Sequence, residues 1–326
     1  MPALLAIAAA MVLGGASGPA EPPCALSTED QVWLDRAMGA WRLTSREITG
    51  VGDVEAMRAL IFDSGCLLTS DTAMSGGAMR WSATRHAGSV PLPGGSSLPA
   101  QVVSFAAAGD GSSFFVMSAP SVWKAGKVEA GALGLDHLMT AVLLHEGTHV
   151  AQMPSYGERM TRLSKRNALP DDFDDDSIQM RFESNPGFAR SIAEETRLLL
   201  AAAGSPSRNE AVRLVRKARH LGRARQGRWY PAKDRYLREA EDIWLTLEGS
   251  GQWAAYQWLI HPEGGRMDAP AAIAGFGQRG KWWSQTQGFA LFLALDRLAG
   301  SRWKRHAFGD GKKTVLQMLN EALAAT

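Results

Sequence analysis

The feature that most constrains this chain is the stretch 135–153, LDHLMTAVLLHEGTHVAQM. It contains no proline and one glycine, Gly147. Leu135, Leu138, Met139, Val142 and Leu143 form a long apolar side, Gly134 and Asp136 suit a helix start, and Pro154 suits an end. The pattern predicts one helix whose polar chemistry sits late in the run. Four residues along a helix advance about 400°, so His145 and His149 stand one turn apart and nearly in line. Two imidazoles so placed can bind one metal ion. Glu146 points about 100° round the helix, where it reaches a metal-bound water but is poorly placed as a third ligand. Apart from Glu146, no charged residue falls between Asp136 and the helix end. An unpaired buried carboxylate is costly, so a core without a metal would rarely carry this trio.

The rest of the chain divides into two unlike parts. Residues 27–46 read as a helix, with Ser27 and Asp30 at capping-box spacing and Leu34, Met38 and Trp41 on one face. From Gly50 to Trp123 the texture is that of short strands and turns. "QVVSFAAA" (101–108) and "SFFVMSA" (113–119) read as strands separated by Gly109-Asp110-Gly111. Helical patterns then cover 187–203, 208–226, 232–258, 285–299 and 312–325. A small sheet followed by a helical body predicts an α+β fold: a small, mainly β N-terminal lobe with an edge strand, the helix bearing the histidines, and a mainly α-helical C-terminal lobe. The expected divisions are 1–20, 21–153 and 154–326.

Residues 3–15 are apolar and uncharged, too short for a comfortable membrane span, and end in Ala16-Ser17-Gly18-Pro19-Ala20. They read as a signal peptide cleaved after Ala20, the alternative being an uncleaved anchor. The protein is thus expected to be exported, to the periplasm or beyond. Cys24 and Cys66, its only two cysteines, can pair in an oxidising compartment, closing a loop worth about 4 kcal/mol.

Thirty-five basic and 33 acidic residues leave a net charge of +2, which gives no reason to expect nucleic-acid binding. Two charge clusters stand out. Residues 171–176, DDFDDD, lack the glycine and terminal glutamate of a calcium loop and read as a solvated loop. Residues 208–238 hold eleven Lys or Arg against two acids. Arg213, Arg216, Lys217, Arg219 and Arg223 form a basic face, read as solvated and answered by the aspartates, or alternatively as a contact with an anionic surface.

The five residues His145-Glu146-Gly147-Thr148-His149 resemble the HExxH motif of the zincin metallopeptidases. Metzincins continue with a glycine and a third histidine; here Val150-Ala151-Gln152-Met153-Pro154 follows, and the other histidines (86, 137, 220, 261 and 306) lack that spacing. The chain is more similar to the gluzincin branch, in which a glutamate on a later helix completes the site. That resemblance implies a third ligand, for which there are two candidates. Glu248 lies in Glu248-Gly249-Ser250-Gly251-Gln252-Trp253, similar to the Glu-Gly-x-Ala-x-Tyr of many gluzincins, although it follows His149 by 99 residues. Leu237, Glu241, Trp244 and Glu248 share a helical face, and Gly249 and Gly251 suggest close packing, with the histidine helix as the candidate neighbour. Glu195 is the runner-up, because it interrupts the apolar stripe Phe188, Ile192, Leu199. Some gluzincins orient a histidine with an aspartate four residues after the ligand; that position here is Gln252.

Two imidazoles and a carboxylate favour one Zn2+ with an open fourth position. The implied activity is hydrolysis of peptide bonds in a peptide or protein substrate by a zinc-activated water, with Glu146 as general base. Tyr256 and His261 are candidates for the oxyanion donor, and strand 113–119 is the candidate edge for an extended substrate. Trp282, Trp283 and Trp303 read as core. Two other functions fit the same residues: a non-catalytic zinc-containing scaffold, and an amidase acting on cell-wall links.

Overall fold

The computed structural model describes residues 24–51, 58–70, 79–109, 111–277 and 282–325. The expected signal peptide, 1–20, lies outside them. Helix α1 (Thr28–Leu43) opens the described chain. Its Ser27 hydroxyl accepts the Asp30 N–H at 3.1 Å, half of the expected capping box. The Asp30 carboxylate turns away and accepts the Ser121 N–H at 2.9 Å, tying α1 to a later segment.

Among the described residues seven strands follow: β1 (Arg58–Phe62), β2 (Cys66–Ser70), β3 (Trp81–Arg85), β4 (Ser89–Pro91), β5 (Ser97–Pro99), β6 (Ser104–Gly109) and β7 (Ser112–Ser118). Five of them form a sheet in the order β3-β2-β1-β7-β6, and β4 pairs with β5 in a hairpin. The β1–β7 pair is parallel and its neighbours are antiparallel. Alternate side chains serve two layers, as the strand period demands. Leu60, Phe62, Phe114 and Val116 pack with Val90 under the hairpin, while Ala59, Ile61, Phe115 and Met117 join the main core.

This order corrects one expectation. The segment 113–119 is an interior strand, because β1 occupies its far side; the edge belongs to β6. Strands β1 and β2 are buried almost throughout, so they carry no alternating polar signal by which the sequence would announce them.

The rest of the described chain is mainly helical: α2 (Pro120–Ala125), α3 (Leu135–Gln152), α4 (Glu158–Asn167), α5 (Ser177–Phe182), α6 (Pro186–Ala203), α7 (Arg208–Trp229), α8 (Tyr236–Ile260), α9 (Ala269–Gly277), α10 (Trp283–Ala299) and α11 (Val315–Ala324). The fold is therefore a small five-stranded sheet followed by a mainly helical part. Helix α3 starts at Gly134, whose φ of 72° needs glycine, and passes at Met153 into a wide π-helical turn containing Pro154. One apolar cluster runs from α1 and the sheet through α3 to α8, α10 and α11, so residues on both sides of position 153 share a core. Cys24 and Cys66 form the expected disulfide, with Cα atoms 5.7 Å apart, pinning the start of the described chain to β2. Among the described residues no helix is long and apolar enough to cross a membrane.

Candidate metal centre

Helices α3 and α8 pack side by side, and their contact explains the two glycines. A Cβ at Gly251 would lie 2.7 Å from His145 Nδ1, so only glycine lets α8 lie against that ring. Gly249 has a different neighbour: a Cβ there would strike the backbone of Gly288 on α10. The expectation that both glycines face the histidine helix thus holds for Gly251 alone.

This approach brings three donors together. His145 Nε2 and His149 Nε2 are 2.8 Å apart. Glu248 Oε2 lies 3.2 Å from the first, and its Oε1 lies 3.1 Å from the second. All three residues are at least nine-tenths buried, at 8%, 8% and 6% exposure. Two imidazole nitrogens at 2.8 Å cannot both present lone pairs; a proton or a cation has to lie between them. A tetrahedral zinc ion with bonds of about 2.0–2.1 Å spaces its ligand atoms by about 3.3 Å, so an opening of a few tenths of an ångström accommodates it. The buried His145, His149 and Glu248 can hold a metal ion.

The electrostatics express the same demand for positive charge. Burial works against a proton on His149, but the charge and hydrogen bond of Glu248 outweigh it and hold that imidazole up at about 9. Burial likewise opposes ionisation of Glu248, yet the two histidines hold its carboxyl well below the usual range. Behind the donors the rings have no polar support: the Nδ1 atoms of both histidines are buried without a hydrogen-bond partner. Gln252, at the position considered for an orienting acid, donates to Gln285 at 3.2 Å instead. Close packing, including the Gly251 contact, fixes the rings.

The donors open into a cavity of about 520 Å³. Its walls are Ser104, Phe105 and Ala106 of β6, Glu146 and Met153 beside the histidines, Asp174–Asp176, Trp244 and Leu247 of α8, and Trp282 and Gln285. Burial raises the Glu146 carboxyl, with Glu248 adding to the rise, while the two histidines and the Ser104 hydroxyl oppose it. Asp175 is pushed up to about 8, by burial first and then by Glu248, Asp176 and Asp174.

Other expected site residues lie elsewhere. Glu195 is buried on α6, held by Arg225 through bonds of 2.8 and 3.1 Å, by Ser191 at 2.9 Å and by Gln287 at 2.8 Å. It belongs to an ion-pair cluster, not to the metal group. Tyr256 is buried against Phe289, with ring centroids 5.4 Å apart, and His261 sits beyond the end of α8, where its Nδ1 accepts the Glu263 N–H at 3.1 Å. Neither lines the cavity. The aspartate run, read as solvated, supplies three residues of the cavity wall, and Trp282, read as core, supplies another. The sequence holds no local signal for either, since both reach the site through tertiary packing. Three of the five residues of the basic face of α7 find partners close to home: Arg213 pairs with Glu210, Arg216 bonds the Leu323 carbonyl and Arg219 bonds Asn320. Comparison of the chain with protein families, curated proteins and solved structures finds no match.

Proposed function

We propose that this chain is an exported zinc metallopeptidase of the gluzincin type, with His145, His149 and Glu248 as ligands and Glu146 as general base. The observation that carries the reading is the convergence of two imidazoles and a carboxylate beside a second, buried carboxylate at the wall of a large cavity. A structural site has no need of Glu146. Zinc, when bound, supplies Lewis acidity and a water whose pKa falls to about 7.

The chain's own groups supply the rest. Glu146, its proton affinity raised by burial, takes a proton from the attacking water and passes it to the leaving amine. Water adds to the carbonyl carbon, the C–N bond breaks, and the products are a carboxylate and an amine. Strand β6 borders the cavity and, among the described residues, has no strand beyond it in the sheet, so its backbone is suited to holding an extended peptide. Zinc is the best match to the donor set, because two nitrogens and one carboxylate leave one tetrahedral position open. Export is part of the same proposal and is supported by the Cys24–Cys66 disulfide.

The test is a metal count on the purified mature chain, with an assay against a peptide library. Glu146→Gln is expected to keep one zinc per chain and lose turnover by about 10²–10⁴-fold or more. Glu248→Ala is expected to lose zinc, and Glu195→Ala to keep it. Full zinc in the wild type with no hydrolysis of peptides or cell-wall amides would replace this reading with that of a zinc-containing scaffold.

A further inference from the structure

We propose that Gln152 is a positioning residue of the metal centre: it ties α3 to α8 through Ser250 and so holds Glu248 against the histidine pair. This rests on the metal centre of the reading above and not on its hydrolytic step. Gln152 ends α3 and is 1% exposed. Seven residues of helix advance about 700°, so Gln152 stands within about 20° of His145, and one face of α3 carries His145, His149 and Gln152 in successive turns. Its Nε2 donates to the Ser250 hydroxyl at 2.8 Å and to the Ala307 carbonyl at 2.8 Å. A carbonyl only accepts, so the amide nitrogen is the atom that faces it. The Ser250 hydroxyl donates in turn to the Leu247 carbonyl at 2.9 Å, which leaves its oxygen to accept from Gln152.

The surroundings make this bond a constraint on the metal site. Among the described residues it is the one hydrogen bond between α3 and α8 besides the contacts of Glu248 with the histidines. At about 100° per residue, Glu248 and Ser250 project from opposite flanks of α8, with Gly251 between them. Gly251 is where α8 meets the His145 ring, a contact that stops the two helices from closing further. The Gln152 bond acts in the other direction and stops α8 from rolling or parting about that contact. Neither histidine has a hydrogen bond behind its ring, so the distances of 3.2 and 3.1 Å to Glu248 are set by how the helices sit. Gln152 Oε1 is also buried without a partner. An apolar side chain of the same length would avoid that cost, so the position uses the amide for its donor and not for its bulk.

The experiment uses the full mature chain at a temperature where the metal-free form is fully folded, so that a loss of global stability alone leaves metal affinity unmoved. Zinc affinity is read by competition with a chelator, and ligand geometry by the visible absorption of the Co2+-substituted chain. Gln152→Met keeps the length and removes the donor. It is expected to weaken zinc binding by about 10–100-fold and to change the cobalt bands. Ser250→Ala is expected to weaken binding in the same direction, and the double variant to lose no more than about twofold beyond the weaker-binding single variant. Tyr156→Phe is the control. The Tyr156 hydroxyl donates to the carbonyls of His306 and Lys313 at 2.9 and 2.6 Å, so it anchors the segment that contains Ala307 but makes no bond between α3 and α8. Its loss is expected to lower stability and to leave zinc affinity within about twofold of the wild type.

Wild-type zinc affinity and cobalt bands in Gln152→Met would overturn the proposal; should that variant not fold, wild-type affinity in Ser250→Ala would do so. A Tyr156→Phe chain that loses as much affinity as Gln152→Met would overturn it too, since the 306–313 segment would then be what holds the site. A wild-type chain that binds neither zinc nor cobalt would overturn the metal-centre reading and this one with it. Because every readout is metal binding, a chain that holds zinc and cleaves nothing would remove the peptidase reading without changing this test.

Discussion

Helix α8 carries two buried acids seven residues apart, Glu241 and Glu248, and each belongs to a different ionic cluster. Around Glu241 the chain provides its own cation. Arg225, 2% exposed, reaches Glu241 at 2.6 Å and grips Glu195 with two further bonds, while Gln226 donates to the other Glu241 oxygen and Gln287 shares Glu195 Oε2 with the guanidinium. Around Glu248, among the described residues, no arginine or lysine arrives. Two imidazoles take the place of the guanidinium, with their far nitrogens unpartnered. The first cluster is complete from the sequence alone, apart from an excess of one negative charge. The second is completed by a proton at His149 or by a metal ion. That difference separates a part that holds helices together from a part that can hold a metal ion.

The sharpest way to break the comparison is to remove the resident cation. Arg225→Met leaves Glu195 and Glu241 buried and facing each other without a counter-charge. A loss of about 3–5 kcal/mol of unfolding free energy is expected, the usual cost of breaking a buried pair from one side. It should be independent of added zinc. Urea unfolding with and without a chelator measures both features. A loss below about 1 kcal/mol, or one that zinc restores, would mean that the two clusters are not distinct in kind.

The same contrast explains which parts of the molecule were legible beforehand. Helix α3 was, because its period, its start at Gly134 and its histidine spacing are local. Glu248 was, because the stripe Leu237, Glu241, Trp244, Glu248 marks one face of α8. A stripe does not say which neighbour it meets, however. Glu241 turns to Arg225 and Glu248 to the histidines, and Gly249 meets α10 where Gly251 meets α3. Glu195 interrupts an apolar stripe as a ligand would, and the partner that answers it, Arg225, lies thirty residues later. Strand β1 is hidden for a different reason: buried on both faces, Arg58–Phe62 has no alternation, and without it β7 reads as the edge. The aspartate run looked solvated because nothing in a run of acids tells which way the loop folds.

A middle-sized effect concerns pH in the metal-free chain. His149 has its folded pKa raised to about 9 from 6.5, so its pairing with Glu248 contributes stability that is fully present below about 6.5 and is lost as pH rises through about 9. The contribution is on the order of a few kcal/mol. With chelator present, stability should therefore fall across that window. In zinc the fall should shrink or vanish, since the metal displaces the proton and binding stabilises the folded form by mass action. His149→Gln should flatten the chelated profile. Asp175, held up at about 8, adds a fall of the same sign below that pH, so the part of the window above about 8 is the one that reports His149, and a profile equally steep there in His149→Gln would assign the titration elsewhere.

The smallest effect distinguishes packing from ligation at the same helix. Gly251→Ala places a methyl group 2.7 Å from His145 Nδ1, inside any ordinary contact, and the ring has no hydrogen bond behind it to resist displacement. A cost of about 1–3 kcal/mol is expected from overpacking, expressed chiefly as weaker metal binding, because the ring that shifts is a ligand. Gly249→Ala is the control. Its methyl group would strike the Gly288 backbone, so it should lower the stability of the chelated protein at least as much while affecting zinc affinity less. Competition with a chelator of known affinity, run beside urea unfolding, separates the two losses. If Gly251→Ala bound zinc as tightly as the wild type, packing would not be what holds His145 in place, and the missing support behind its Nδ1 would have to come from solvent.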